Sequence, residues 1–298
     1  MKLFVKDVAS TLLAICLAVL LLEIVVDFYP NEFIAKYREW YNNRDNITIL
    51  LIGNSHIQTN IKASVIGQNA YNMAIGGSDI NNAIDIAREY IPQMKNVNTI
   101  IVNFDYMHVY DTGDTFETRQ SDTCNKQIDN DWRDYMSYIH HRYLHSGSRC
   151  SRYNYALLCN QMHYTTLCNQ KLTDLHLDKL KGDFTDNPCF SMGRSSMDLF
   201  NNQLNLLSTI AQITKEKQAR LIVITSPANK SFCKQITQRN IVLMNNAMDS
   251  LSLIYPIEYK NYLLDTMFQK DELYMDIHHF NTQGSTLFTN QLKKDFRL

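Results

Sequence analysis

NITILLIGNSH, residues 46–56, is the stretch that decides the fold. Its first part, NITILLIG at 46–53, is a short apolar run rich in β-branched residues, which is typical of a strand buried on both faces of a sheet. Glycine permits a tight turn that lifts the following side chains out of the sheet. The hydroxyl of Ser55 is therefore expected at the carboxyl end of a strand, close to the start of the next helix.

Strands and helices alternate along the rest of the chain. This alternation predicts an α/β protein with a flavodoxin-like, three-layer α/β/α arrangement and a mostly parallel sheet. In such sheets, sites form at the carboxyl ends of the strands. Further strands are predicted near residues 69–73 and at 97–104, 219–227 and 261–268, with helices around 80–91, 200–211, 236–247 and 283–296.

Residues 106–195 differ from the rest, because they are polar, rich in Tyr and Cys, and lack a long apolar period. We interpret them as an insertion of short helices and loops that could cover a site. The six cysteines beyond Cys16 are Cys124, Cys150, Cys159, Cys168, Cys189 and Cys233. An even number is compatible with disulfides in an exported domain, and unpaired thiols remain the alternative.

The N-terminus contains VASTLLAICLAVLLLEIVV at residues 8–26, with a single charge at Glu23. This length matches a bilayer core, so residues 1–30 are predicted to be a cytoplasmic tail and a transmembrane signal anchor, followed by a catalytic domain at 31–298. Lys2 and Lys6 precede the apolar run, which places the domain on the extracytoplasmic side of a membrane. A cleaved signal peptide and a lipoprotein at Cys16 are the alternatives.

Composition excludes one class of function. The chain has 298 residues and a formal net charge of −1. Nucleic-acid binding depends on a basic excess that neutralises phosphates, and this chain has none. No nucleic-acid partner is therefore expected.

A second polar segment, DIHHFNTQG at residues 276–284, precedes an amphipathic helix. A serine nucleophile needs a base that takes its proton, and the base needs a carboxylate that orients it. Asp276 and His279 can supply both from one loop. His278 beside His279 raises a metal site as an alternative, but adjacent side chains point in different directions, so no metal is predicted.

Together, GNSH at 53–56 and DIHHFNTQG at 276–284 resemble the serine and D-x-x-H blocks of the SGNH (GDSL-like) hydrolase superfamily. The resemblance covers roughly residues 46–298. It implies the SGNH hydrolase fold with Ser55 as nucleophile, His279 as base and Asp276 as orienting acid, without a cofactor. Asn54 stands where the superfamily usually has Asp.

The resemblance also implies an oxyanion hole. Its donors would be the backbone N–H of Ser55, a glycine N–H for which Gly76 is preferred to Gly77, and the side chain of Asn103. The third strand is followed by NFDYMHVY rather than the superfamily's G-x-N-D block. His56 is expected to be a further donor or a substrate contact.

Three functions fit these residues. The first is a serine esterase that removes an acyl group, such as O-acetyl, from an extracytoplasmic glycan. The second is an acyltransferase that modifies a cell-envelope polysaccharide with the same triad and receives its acyl group from a membrane-bound partner. The third is an inactive protein that keeps the fold for glycan binding or assembly. Water or a sugar hydroxyl attacks the acyl-enzyme in the first two, and the sequence does not distinguish them.

Overall fold

The structure is a computed structural model, and it describes residues 2–28, 32–75, 80–106, 197–234 and 236–298. Contacts between Cα atoms divide the chain into two units. One comprises residues 1–35 and 124–170, and the other comprises 36–123 and 171–298. In the first unit, the described part is helix α1, Lys2–Phe28, and the beginning of helix α2, Glu32–Asn43.

Five parallel strands form the sheet of the second unit. They are β1 (Ile49–Ile52), β2 (Ala70–Asn72), β3 (Thr99–Asn103), β4 (Arg220–Thr225) and β5 (Ile257–Asn261). Their order across the sheet is β2-β1-β3-β4-β5, and each neighbouring pair is parallel. This is the flavodoxin-like order, in which ligands bind beside the carboxyl ends of the strands where the order reverses. The predicted α/β fold with a parallel sheet is confirmed.

Side chains of the central strands alternate between two cores. Leu50, Ile100 and Val223 pack on one face, and Leu51, Ile101 and Ile222 pack on the other. Because both faces are covered, strands β1, β3 and β4 are apolar at almost every position, as fully buried parallel strands require. The helices therefore form the two outer layers of an α/β/α sandwich.

Helices cover both faces of the sheet. The first face is covered by α5 (Ile80–Tyr90), α6 (Met197–Glu216) and α8 (Gln238–Ser252). The second face is covered by α3 (Ser55–Asn60), α4 (Ala63–Ile66) and α9 (Thr282–Phe296). The short helix α7 (Lys230–Cys233) and three 3₁₀ turns at Ile91–Gln93, Thr266–Phe268 and Asp271–Leu273 complete the described elements.

One strand prediction is wrong. The last strand was predicted at residues 261–268, but strand β5 is Ile257–Asn261 and a 3₁₀ turn at Thr266–Phe268 follows. The strand lies at the sheet edge and is only partly buried, so its sequence IEYKN lacks the continuous apolar run of a central strand. Of the apolar residues that follow, Tyr262, Leu263 and Phe268 are buried, whereas Leu264 and Met267 are exposed. They form a turn in which the Asp265 side chain accepts a hydrogen bond from Met267 N at 3.0 Å.

The structure describes only part of two predicted segments, the insertion at 106–195 and the membrane-spanning helix at 8–26. The insertion at 106–195 lies outside the described residues except for Tyr106. Judged on the side chains that the structure describes, no helix is both long enough and apolar enough to cross a membrane. The membrane-spanning helix expected at 8–26 is not supported by that result and stays a prediction.

Cys233 has a free thiol. Its Sγ donates weakly to the carbonyl oxygens of Leu263 and Ala228, at 3.3 and 3.5 Å. Burial raises the pKa of this thiol to about 11, so the unreactive protonated form dominates at neutral pH. The other five cysteines considered for disulfides in the exported domain lie outside the described residues.

The last residues of the segment DIHHFNTQG form the start of helix α9 and fix its position. Asn281 caps the helix, with Oδ1 accepting hydrogen bonds from the N–H groups of Gln283 and Gly284, each at 3.0 Å. Phe280 is fully buried against Phe268, Phe288 and Tyr274. A Cβ atom on Gly284 would lie 2.2 Å from the carbonyl oxygen of Leu273 and 2.5 Å from Phe280. Each of these three positions therefore fixes the loop that precedes the helix.

We predict that Gly284→Ala lowers the free energy of unfolding by about 1–3 kcal/mol, because the added methyl group meets a backbone oxygen that cannot move aside cheaply. Urea unfolding measures this change. Gly67→Ala is the matched control, since a Cβ there meets nothing within 4 Å. Equal effects of the two substitutions would contradict the assignment.

Candidate active site

The turn after β1 exposes Ser55. Gly53 has φ +145°, a conformation that L side chains rarely adopt, and a Cβ on it would lie 2.1 Å from Oδ1 of Asn103. Asn54 then caps helix α3, with its side chain accepting a hydrogen bond from His56 N at 2.9 Å. Ser55 is thus the first residue of α3, directly above the carboxyl end of β1, as the sequence predicts.

The loop that contains Asp276 and His279 is held at both ends. Tyr274 and Phe280 form an antiparallel bridge. Met275 N donates to the carbonyl oxygen of His279 at 2.8 Å. The backbone N–H groups of His278 and His279 donate to Asp276 Oδ1, at 2.9 and 2.7 Å. These bonds close the loop into a tight turn that points His279 toward α3.

Ser55, His279 and Asp276 form a continuous chain of hydrogen bonds. His279 Nε2 lies 2.8 Å from Ser55 Oγ, and His279 Nδ1 lies 2.6 Å from Asp276 Oδ2. Because Asp276 is a carboxylate, His279 Nδ1 carries the proton of that bond, and Nε2 is left as the acceptor for the serine hydroxyl. The structure therefore brings together the three predicted residues in the order nucleophile, base and acid.

Electrostatics keep Asp276 ionised. Burial raises its pKa, but the hydrogen bond from His279, the electrostatic interactions with the His279 and His278 rings, and the backbone N–H of His278 lower it by more. The net result is a pKa well below the usual value for aspartate. The carboxylate is therefore charged throughout the pH range in which an imidazole titrates, and it can stabilise a positive charge on His279.

The structure describes one of the two backbone N–H groups that are predicted to be oxyanion donors. Ser55 N–H lies in the first turn of α3, where helical N–H groups have no acceptor within the helix, and it has no partner among the described residues. Gly76 lies outside the described residues, which end at Ile75 before resuming at residue 80. Ile75 itself donates its N–H to the carbonyl oxygen of Gly53 at 3.3 Å.

The placement of Asn103 does not support its predicted role as an oxyanion donor. Its side chain is buried at the end of β3, beneath the serine turn. An Asn amide has two N–H donors, and here one bonds Asn54 Oδ1 at 2.8 Å and the other bonds Asp105 Oδ2. With both donors engaged, the amide supports the turn from below.

The prediction that His56 contacts substrate is wrong. His56 is 3% exposed, and both ring nitrogens are hydrogen-bonded inside the protein. Nδ1 lies 2.7 Å from Asp105 Oδ2, and Nε2 lies 2.7 Å from Nδ1 of His278. His56 is the second residue of α3, and its side chain points into the protein interior rather than toward the surface.

Beneath the triad, Asp105, His56 and His278 form a second chain of hydrogen bonds, which we call the buried relay. Asp105 Oδ1 also accepts from Ser226 N at 2.7 Å, so this carboxylate joins the ends of β3 and β4 to α3. Sequence reasoning missed the relay. The available signals were the polar residues Asp105 and Ser226 directly after two buried strands.

The buried relay lies against the triad. The rings of His278 and His279 have centroids 3.9 Å apart, and those of His56 and His279 are 5.3 Å apart. Burial, followed by electrostatic repulsion that protonated His278 would meet from the neighbouring rings of His279 and His56, lowers the pKa of His278 well below its usual value, so its imidazole is neutral. One ring nitrogen from each of the three histidines lies within 4.8 Å of the others, a spacing within reach of a metal ion.

Comparisons with known proteins give structural similarity only. No family model matches the chain, and no curated protein does. A candidate platelet activating factor from Streptococcus pneumoniae is 14% identical with a TM-score of 0.47, and the match covers 95% of this chain and 99% of that one. A GDSL-like lipase from Bacteroides thetaiotaomicron is 9% identical with a TM-score of 0.44, covering 88% and 98%. A candidate acylhydrolase from Bacteroides fragilis is 10% identical with a TM-score of 0.43, covering 88% and 96%.

We predict that Asp105→Asn lowers the free energy of unfolding by about 1.5–3 kcal/mol, the usual worth of hydrogen bonds to a charged group. The new amide group would face the donors of Asn103 and Ser226 with only one acceptor oxygen. Urea unfolding is the measurement. Asp265→Asn is the matched control, because Asp265 is a partly exposed cap of the 3₁₀ turn at Thr266–Phe268 and asparagine caps equally well. An Asp105→Asn protein as stable as the control would contradict the role given to this carboxylate.

Proposed function

We propose that the chain is an SGNH-type serine esterase that uses Ser55, His279 and Asp276. The observation that carries the proposal is the hydrogen bond of 2.8 Å from Ser55 Oγ to His279 Nε2, continued by the bond of 2.6 Å from His279 Nδ1 to Asp276. Ser55 begins helix α3, and His279 lies 224 positions later in the loop before α9. A nucleophile, a base and an orienting acid in this order are what acyl transfer requires.

The chemistry follows from the arrangement. His279 Nε2 takes the proton of Ser55 as Oγ attacks the ester carbonyl carbon, and Asp276 stabilises the imidazolium that forms. His279 then returns the proton to the leaving alcohol, and an acyl group remains on Ser55. A water molecule, deprotonated by His279 in turn, releases the acid and restores the serine.

An oxyanion develops on the carbonyl oxygen during each attack. Ser55 N–H in the first turn of α3 is positioned to donate to it, and the helix start adds a favourable dipole. A second donor would come from Gly76, as the resemblance implies. Asn103 is not part of this proposal, because its amide group already bonds Asn54 and Asp105.

Acyl transfer to a sugar hydroxyl is the second candidate, since it differs only in what attacks the acyl-enzyme. The inactive-scaffold alternative is disfavoured by the alignment of Ser55 with His279.

We propose an acylated, extracytoplasmic glycan as substrate because we also propose that α1 anchors the chain in a membrane. Support for the anchor comes from the exposed apolar side chains of α1, which include Phe4, Leu12, Leu13, Leu17, Leu20 and Leu21.

The first test is hydrolysis of p-nitrophenyl acetate by the full-length protein. Ser55→Ala and His279→Ala are each expected to lower kcat by at least about 10³-fold, and Asp276→Asn by about 10³–10⁴-fold, because the imidazole loses its orientation. Ser250→Ala, an exposed serine on α8, is the control that should keep full activity. Turnover that persists in Ser55→Ala would contradict the assignment of Ser55 as the nucleophile.

The anchor is tested by fractionation of cells that express the chain. The full-length protein is expected in the membrane pellet, resistant to high salt and released by detergent, because burial of its apolar helix does not depend on charge. Removal of residues 1–30 should leave the protein in the supernatant. A full-length protein that stays in the supernatant, or a truncated protein that remains with membranes, would contradict the anchor.

A further inference from the structure

Three imidazoles meet at the junction of the triad and the buried relay. They belong to His56, His278 and His279, and one nitrogen of each lies within 4.8 Å of the others. Nε2 of His56 and Nδ1 of His278 are 2.7 Å apart. Imidazole nitrogen is a preferred ligand for Zn²⁺ and a poor one for Mg²⁺ or Ca²⁺, so the donor set favours a transition metal.

Carboxylates orient two of the three rings. Asp105 accepts from Nδ1–H of His56 at 2.7 Å, and Asp276 accepts from Nδ1–H of His279 at 2.6 Å. Each bond leaves Nε2 of that ring without a proton. A carboxylate on the outer nitrogen is the arrangement that fixes the tautomer and raises the basicity of histidines that bind zinc. The cluster therefore has the outer hydrogen bonds of a zinc site as well as its ligands.

His278 supplies the third ligand after a proton shift and a movement of the rings. Because Nε2 of His56 accepts a hydrogen bond, Nδ1 of His278 carries the proton between the two rings. Metal binding requires that proton to move to the other nitrogen of the same ring, which leaves His278 neutral. Tetrahedral zinc with Zn–N bonds of about 2.0–2.1 Å places its nitrogens about 3.3 Å apart. Nε2 of His56 and Nδ1 of His278 therefore separate by about 0.6 Å, and nitrogens that lie up to 4.8 Å apart approach each other by up to about 1.5 Å.

The fourth position and the entry route are at the triad. Ser55 Oγ lies 2.8 Å from His279 Nε2, which makes the hydroxyl or a water in its place the nearest remaining ligand. The side chain of His279 is 18% exposed, whereas His56 and His278 are buried. An ion would therefore enter from the substrate side.

We propose that His56, His278 and His279 form a binding site for Zn²⁺, and that zinc bound there inhibits the esterase by occupying Nε2 of His279. The inhibitory part rests on the proposed function, because it assumes that His279 is the base. The binding part does not, because it depends only on the three imidazoles and their two carboxylates. The measurements below separate the two parts.

Binding is measured on the full-length protein with CoCl₂ as the probe, since Co²⁺ takes zinc sites and absorbs visible light strongly when tetrahedral. One Co²⁺ per chain is expected, displaced by ZnCl₂. Ser55→Ala should keep this spectrum although it removes the nucleophile. His278→Asn and His56→Asn should each weaken zinc binding by at least about 100-fold, and Asp105→Asn by about 10–100-fold, as the loss of an outer partner does.

Inhibition is measured with p-nitrophenyl acetate and added ZnCl₂. The zinc concentration for half-inhibition should rise in His278→Asn and His56→Asn in proportion to the loss of binding. Cys233→Ser is the control, because it removes a free thiol outside the cluster, and its zinc response should match the unchanged protein. Circular dichroism identifies any variant that fails to fold, and for such a variant the larger amide change at the same position, His278→Gln or His56→Gln, replaces it.

The outcomes are distinct. Absence of a Co²⁺ spectrum in the unchanged protein, or unchanged zinc affinity in folded His278→Asn and His56→Asn, would overturn the site. Binding at the three histidines without inhibition of an active enzyme would overturn the inhibitory role. Binding in a protein that hydrolyses no ester would support the metal site while the proposed esterase function fails.

Discussion

Asp105 carries a charge in the interior, and the arrangement around the serine turn depends on it. A buried carboxylate is costly unless hydrogen-bond donors surround it. Here the donors come from Asn103 at the end of β3, Ser226 N after β4 and His56 on α3. Satisfying one charge therefore joins three segments that are distant in sequence and fixes the position of α3, which begins at Ser55.

Two chains of hydrogen bonds, each beginning at an aspartate, lie side by side in this protein and touch through the rings of His278 and His279. One runs from Asp276 through His279 to Ser55, and the other runs from Asp105 through His56 to His278. The first is partly exposed and able to exchange a proton with a substrate, whereas the second is buried. This difference in solvent access is why we propose catalysis for the first chain and positioning for the second.

The sequence predicted those parts of the site that depend on local geometry. Gly53 before Ser55, and Asp276 three residues before His279, place their side chains through turns only a few residues long. The central strands were found because burial on both faces makes them continuously apolar. The edge strand β5 was misplaced because partial exposure removes that pattern. His56 was misassigned because its burial depends on Asp105, 49 residues away, which no local pattern encodes.

The central claim is that Ser55 is a nucleophile activated by His279. Its most direct test is covalent labelling with a fluorophosphonate, followed by mass spectrometry of the peptides. The account predicts one phosphonylated residue, Ser55, and labelling that falls to background in His279→Ala. A label on another residue, or equal labelling of Ser55 without His279, would contradict it.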